Sequence, residues 1–182
     1  MYDNTTTILG AVSTTNLSFI WGDDAAMTAG GTLEDFALTI YNSSSSAGPL
    51  LTATVAVGYY DYTVPATPVW IGGFSGNVSW TGGLGVGYYS AVSWTSLSTL
   101  ATPIVLPTNV MIVQQVTAHT GTANRLGIIR AYPPTTGTSP AGYYQNGTWT
   151  TTEGAYYKIG VIPEPTSLAL LGLGALTVLR RR

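Results

Sequence analysis

Apolar and polar positions alternate with a period of two along most of the chain. In the run from Leu51 to Tyr59, Leu51, Ala53, Val55, Val57 and Tyr59 fall on one face, opposite small and hydroxyl residues. That is the pattern of a half-buried strand. Phe36, Leu38 and Ile40 alternate in the same way, as do Tyr88 and Val92 within GYYSAVSW. NVMIVQQV, residues 109–116, is more continuously apolar and predicts a central strand buried on both faces. Turn-forming clusters separate the runs: NSSSSAGP (42–49), VPATP (64–68), TGG (81–83) and YPPTTGTSPAG (132–142). Asn146-Gly147, between YYQ and TWT, is the strongest hairpin signal, because a type I′ turn needs positive φ at both central residues. Gly-Tyr-Tyr recurs at 58–60, 87–89 and 142–144 at unequal spacings, a reused strand solution and not a repeat. No segment before Pro165 has sustained helical periodicity. Roughly eight to ten short strands predict an all-β body over residues 1–161, an antiparallel β-sandwich with jelly-roll-like connections.

The pattern changes at residue 162. Ser167–Leu179 carries no charge and no polar face, and it is bounded by Pro163 and Pro165 before it and by Arg180, Arg181 and Arg182 after it. As a helix it would be about 20 Å long, against a hydrocarbon core of about 30 Å. Length alone fits a buried terminal helix as well as an anchor. The flanks favour the anchor: a core helix needs a polar side, the prolines set a sharp start, and the arginines hold their end in the cytoplasm. Residues 162–182 are therefore read as a separate module, a short transmembrane helix with its C-terminus inside.

Composition sharpens this. Charged residues are 8% of the chain, against roughly 25% in ordinary globular proteins. The polar surface must come from Thr, Ser, Asn and Gly, which suits an extracellular β protein. There are no cysteines, so disulfides and thiolate metal sites are excluded. Half of the six basic residues are the terminal arginines; Arg125, Arg130 and Lys158 face seven acids in the body, a balance of −4. Three scattered cations cannot form the basic stripe that nucleic acid needs, so no nucleic-acid partner is expected.

Pro163-Glu164-Pro165, the apolar run and the terminal arginine cluster together resemble the PEP-CTERM sorting signal of Gram-negative bacteria. The resemblance covers about the last twenty residues. It implies recognition in the membrane by an exosortase, processing near the tripeptide, transient anchoring, and delivery to the cell surface or its polysaccharide matrix. The body, with WGDDAAMTAGGTLEDFALTIYNSSSSAG, is similar to the β-sandwich domains such proteins carry. Family members begin with a secretory signal peptide, whereas MYDNTTTILGAVSTTNLSF has neither a basic start nor an adequate apolar core. A start upstream, or a trimmed chain, is the expectation.

Chemistry-bearing residues are sparse. His119, the single histidine, lies in the polar, loop-like TAHTGTAN with no acid nearby in sequence, and reads as a solvated loop residue. Asp3, Asp23, Asp24, Glu34, Asp35, Asp61 and Glu153 show no spacing that singles out the facing pair a glycosidase needs. Asp23 and Asp24 are a weak calcium candidate, outweighed by solvated turn acids because no calcium-loop pattern is present. No cofactor is implied. Of the five tryptophans, Trp21, Trp94 and Trp149 sit in strand-like contexts and are assigned to the core, while Trp70 and Trp80 flank the glycine-rich IGGFSGNVS and are the candidate exposed pair for glycan contact. The reading is a non-enzymatic exported surface or matrix protein. Its rivals are a glycan-binding module, marked by an exposed aromatic row on one sheet, and a hydrolase, marked by a cleft joining His119 or two carboxylates.

Overall fold

Alternating β-branched, aromatic and hydroxyl side chains build an all-β molecule, because such residues pack well on a pleated surface. A computed structural model describes residues 1–13, 20–45, 48–139, 143–145, 148–149 and 154–163. Its strands are β1 (Tyr2–Asp3), β2 (Ile8–Ser13), β3 (Ile20–Ala26), β4 (Gly31–Asn42), β5 (Leu50–Asp61), β6 (Val69–Leu84), β7 (Tyr89–Trp94), β8 (Val105–Leu106), β9 (Asn109–Gly121), β10 (Leu126–Ala131), β11 (Tyr143–Gln145), β12 (Thr148–Trp149), β13 (Gly154–Ala155) and β14 (Tyr157–Ile162). A single 3-10 turn, Leu97–Thr99, is the only helical element among the described residues. The count exceeds the expected eight to ten because β1, β8, β12 and β13 are two-residue strands, too short to show a period.

The strands form two antiparallel sheets. In the first, β4 is central: β7 and β8 pair with one edge of it, β14 and β10 with the other. β1 lies outside β14, β2 lies outside β10, and β13 joins β10 on the side facing β4. The second sheet runs β12-β11-β3-β9-β5-β6. The run at 109–116 is central, within β9 between β3 and β5, but it is not buried on both faces: Val113 and Gln115 are half-buried because no layer packs over the outer side of this sheet among the described residues. The chain passes repeatedly from one sheet to the other, as at β3 to β4, β6 to β7 and β9 to β10.

The core lies between the sheets. Phe36, Leu38 and Ile40 of β4 face Val55, Val57 and Tyr59 of β5 and Val110 and Ile112 of β9, all within one buried cluster. Phe36 is its centre. Its ring centroid lies 5.6 Å from Tyr157 and 6.4 Å from Trp94 on its own sheet, and 5.8 Å from Tyr59 and 6.1 Å from Phe74 across the gap. Trp94 also meets Phe74 edge-on at 5.4 Å, its indole lying against Gly76, where any Cβ would collide with the ring.

Three further expectations change. The face running from Leu51 to Tyr59 holds from Ala53 onward, but a register shift between Leu50 and Thr52 turns Leu50 inward and leaves Leu51 42% exposed. Val92 packs on the core, whereas Tyr88 sits in the turn before β7 and is 70% exposed. TGG (81–83) lies within the end of β6, with Gly82 and Gly83 at φ +80° and +84°, and does not separate strands. Asn146-Gly147 lies outside the described residues; the flanking pair Gln145 and Thr148 is in register, as that hairpin requires. The apolar run and terminal arginines also lie outside them. Among the described residues no helix is long and apolar enough to cross a membrane.

Phe36→Ala would remove the ring that four others contact. It should cost about 3–5 kcal/mol, read from urea unfolding, with a loss below about 1 kcal/mol showing that the sheets are held together elsewhere.

Candidate functional site

A second set of aromatic side chains borders the outer face of the second sheet at its two ends. One register line crosses all six strands: Trp149, Tyr144, Gly22, Val113, Gly58 and Gly73. At the usual strand spacing that line is about 24 Å long. Ile112 points into the core, so its neighbour Val113, and with it the whole line, points outward. The next line holds Asp24, Met111, Tyr60 and Trp70. At one end Tyr144 meets Trp149 at 5.4 Å, and Trp149 meets Tyr62 at 5.6 Å. At the other, Tyr60 meets Trp70 edge-on at 5.1 Å. Tyr62 is fixed just beyond β5 by its N–H, which donates to the Asn109 carbonyl at 3.0 Å.

Glycine lets Trp70 lie down on this face. A Cβ at Gly58 would come within 2.6 Å of Trp70 Cζ3, and one at Gly73 within 3.0 Å of Cη2, so only bare backbone accommodates the indole there. The ring remains 56% exposed. Beside Tyr62 a cleft of about 330 Å³ is lined by Asp24, Thr63, Pro65 and Asn109. Partial burial, then the Asp24 charge, raises the Tyr62 phenol. The rest of the outer face is a hydroxyl-rich surface: Thr52 and Thr120 hydroxyls are 2.6 Å apart, and Thr54 Oγ1 donates to Asn77 Oδ1 at 2.8 Å. The arrangement offers ring faces and neutral hydrogen-bonding groups, with little charge.

The structure separates the residues nominated by sequence. Trp70 is exposed, while Trp80 packs against the core. The two have the same parity and would share a face on a regular strand. A register shift places Ile71 as an extra residue between the pairs Tyr59–Gly72 and Tyr60–Trp70, and so sends Trp70 outward and Trp80 inward. Trp21 and Trp94 belong to the core as expected. Trp149 does not; it stands in the outer layer with Tyr144 and Tyr62. Sequence reasoning missed Tyr60, Tyr62 and Tyr144. The Gly-Tyr-Tyr triplets at 58–60 and 142–144 carried the available signal, since each ends in an outward tyrosine.

The acids also move. Asp23 and Asp24 are not solvated turn residues: both lie on β3, 0% and 3% exposed, with Asp23 directed into the interior. Asp23 Oδ2 accepts from the Ala155 N–H at 2.9 Å and the Tyr2 hydroxyl at 3.2 Å. Ser139 Oγ lies 2.8 Å from Asp23 Oδ1 and 3.1 Å from Asp24 Oδ1. The Ser139 hydroxyl thus bridges the two carboxyl groups. Burial pushes the Asp23 carboxyl well above its ordinary range; the Ser139 bond opposes this and the Asp24 charge adds to it. Both Asp23 oxygens are thus engaged by internal donors and are not presented to a cation in solvent.

Asp3 pairs with Lys158 at 3.3 Å, Glu34 accepts from the Ser98 hydroxyl, and Asp61 accepts from the Thr63 N–H at 2.8 Å. Glu153 lies outside the described residues. His119 is in β9 and not in a loop, paired with the core residue Ala53. A second cleft, lined by Gly30, Asp61, Ile71 and Pro107, holds one acid, as the Asp24 cleft does, and His119 lines neither. Among the described residues no group of three His, Asp or Glu is placed to hold a metal ion.

Because the folded Asp23 holds its proton more tightly than the unfolded chain does, its stabilising contribution is complete below about pH 4 and is lost as pH rises through the elevated folded value. Urea midpoints should therefore fall from pH 4 toward neutrality, and Asp23→Asn should flatten that slope. An unchanged slope in the variant would place the titration elsewhere.

Two solved structures resemble the chain path. One is the carbohydrate-binding module TmCBM61 in complex with β-1,4-galactotriose, 13% identical, with 76% of this chain and 70% of that one covered at a TM-score of 0.33. The other is a carbohydrate-binding module from the glycoside hydrolase family 9 protein Cel9A of Ruminococcus flavefaciens FD-1, 8% identical, covering 66% of this chain and 97% of that one at a TM-score of 0.30. Likeness at this level carries no inference about a ligand. No curated protein matches the chain. Residues 161–182 match the PEP-CTERM protein-sorting motif, so the chain carries this motif at its C-terminus, beginning within β14.

Proposed function

We propose that this protein is exported and sorted through its C-terminal motif to the cell surface or polysaccharide matrix, and that its body is a non-enzymatic module binding neutral glycan on the outer face of the second sheet. The outer aromatic layer carries the second part. Sugar rings present apolar C–H faces that stack on exposed indole and phenol rings, while Thr, Ser and Asn hydroxyls and amides exchange hydrogen bonds with the sugar's own. Trp70, Tyr60, Tyr144 and Trp149 supply the rings at the two ends of the face, and Asn109 and Asp24 the polar cleft beside Tyr62. Neutrality of the ligand follows from the charges: the body holds three cations, Arg125, Arg130 and Lys158, the last paired with Asp3, too few to capture an anionic polymer at physiological salt.

The motif at 161–182 supports the sorting half. In this reading residues 1–161 are the body, with jelly-roll-like connections supported by the repeated sheet crossings. Residues 162–182 form the signal: an exosortase processes the chain near Pro163-Glu164-Pro165 while Ser167–Leu179 anchors it transiently and Arg180, Arg181 and Arg182 stay cytoplasmic. No nucleic acid and no cofactor takes part. The hydroxyl-rich half of the outer face favours one other reading, a purely structural matrix protein.

Intact mass of the protein released at the surface of its native host should lack the three terminal arginines; a dominant surface form that retains Arg182 would refute sorting by processing. For the body, binding to the host's own polysaccharide is expected to persist between low and high salt. Trp70→Ala and Trp149→Ala should each weaken it by about tenfold, an estimate from typical stacking contributions. Trp80→Ala should lower stability instead. Binding that collapses with salt or ignores both outer tryptophans refutes this site, and no binding at all supports the structural reading.

A further inference from the structure

Strands that border a sheet expose unpaired N–H and C=O groups, and proteins shield them with short length, charge, proline or a covering element. Here β1, β2, β7, β8 and β12 are two to six residues long. β6 is different. It runs for 16 residues, VWIGGFSGNVSWTGGL, with no charged residue and no proline. Among the described residues only β5 pairs with it, so its far edge has no strand partner. The shift at Ile71 disturbs only its start; from Gly72 to Ser79 it pairs with β5 without interruption. Phe74, Val78 and Trp80 pack on the core from this last strand and remain half-buried, so the hydrophobic interior is incompletely closed on that side.

We propose that a second copy of this chain pairs with β6 in antiparallel register along residues 73–79, joining two six-stranded sheets into one. The sequence is self-complementary in the sense this needs. Outward positions are Gly73, Ser75, Asn77 and Ser79, small and uncharged, so no like charges meet across the two-fold axis. Inward, Phe74, Val78 and Trp80 of one copy would approach those of the other and extend the core over the seam. The axis stands perpendicular to the sheet, which leaves both outer aromatic layers on the same side. The pairing does not depend on what those layers bind.

The absence of cysteine gives a clean test. In the full-length chain, Ser75→Cys, Asn77→Cys and Ser79→Cys can bridge only to another copy. A two-fold antiparallel pair has one register, which fixes which of these positions face themselves or one another. Mild oxidation should therefore give covalent dimer for the combinations that register brings together at least about tenfold faster than for the others or for Ser93→Cys on the first sheet, since disulfide geometry tolerates little displacement. Sedimentation equilibrium should show a dimer that Ser75→Lys with Asn77→Lys weakens by about tenfold. Equal cross-linking at all positions, none from any single or mixed pair, or an oligomeric state indifferent to the lysines would overturn the proposal. Association driven by the apolar tail would show that indifference.

Discussion

Phe36 stands where the two sheets meet, and everything else in the body depends on that contact. Its ring is held by Trp94 and Tyr157 on its own sheet and by Tyr59 and Phe74 opposite, so five aromatic side chains from β4, β7, β14, β5 and β6 converge on one point. A chain with so few charges has little else with which to hold two sheets face to face. Stacked and edge-on ring pairs contribute beyond the area they bury, and they set the gap between sheets by ring size. β14 supplies Tyr157 and is the strand that leads directly into the sorting motif, which begins at residue 161, four residues further on.

Closing the core around these rings leaves polar groups inside; the Tyr59 and Tyr157 hydroxyls have no hydrogen-bond partner, while several others are bonded by a few side chains that cross between segments. Asn4 donates to the carbonyls of Ala131 and Ala155 at 2.7 and 3.0 Å, and Asn42 donates to that of Leu84 at 2.9 Å. Asp23 gathers Tyr2, Ser139 and Ala155 around one carboxyl group. The Asn4 and Asp23 bonds tie the N-terminal strand, β3, β10, β13 and the segment before β11 into one network, while Asn42 joins β4 to β6. The cost is an acid kept from water, which raises its affinity for a proton and is why stability should depend on pH.

The same alternation that fills the interior equips the exterior. Tyr59 turns in toward Phe36 while Tyr60 turns out toward Trp70, and Gly58 between the strands gives that indole room to lie flat. A functional face and a structural core are thus made from adjacent residues of one strand. The division of labour among the tryptophans follows from this: Trp21, Trp80 and Trp94 complete the interior, whereas Trp70 and Trp149 border the outer face.

Period-two patterning, turn chemistry and composition determined the all-β class, the central place of residues 109–116, the inward row of Phe36, Leu38 and Ile40, and the sorting motif at the end. Each is local, because a strand's alternation or a tripeptide before an apolar run needs no partner to be recognised. Tertiary structure decided which way the informative side chains face. Leu51 points out and Trp70 and Trp80 part company because of register shifts, and a shift belongs to a pair of strands, not to either sequence alone. His119 and the two aspartates read as loop and turn residues by their polar neighbours, yet pairing with β5 and β9 drew them into the sheet. The outer aromatic layer could not be foreseen for the same reason: its residues come from β12, β11, β5 and β6, and only the register across six strands brings them onto one face.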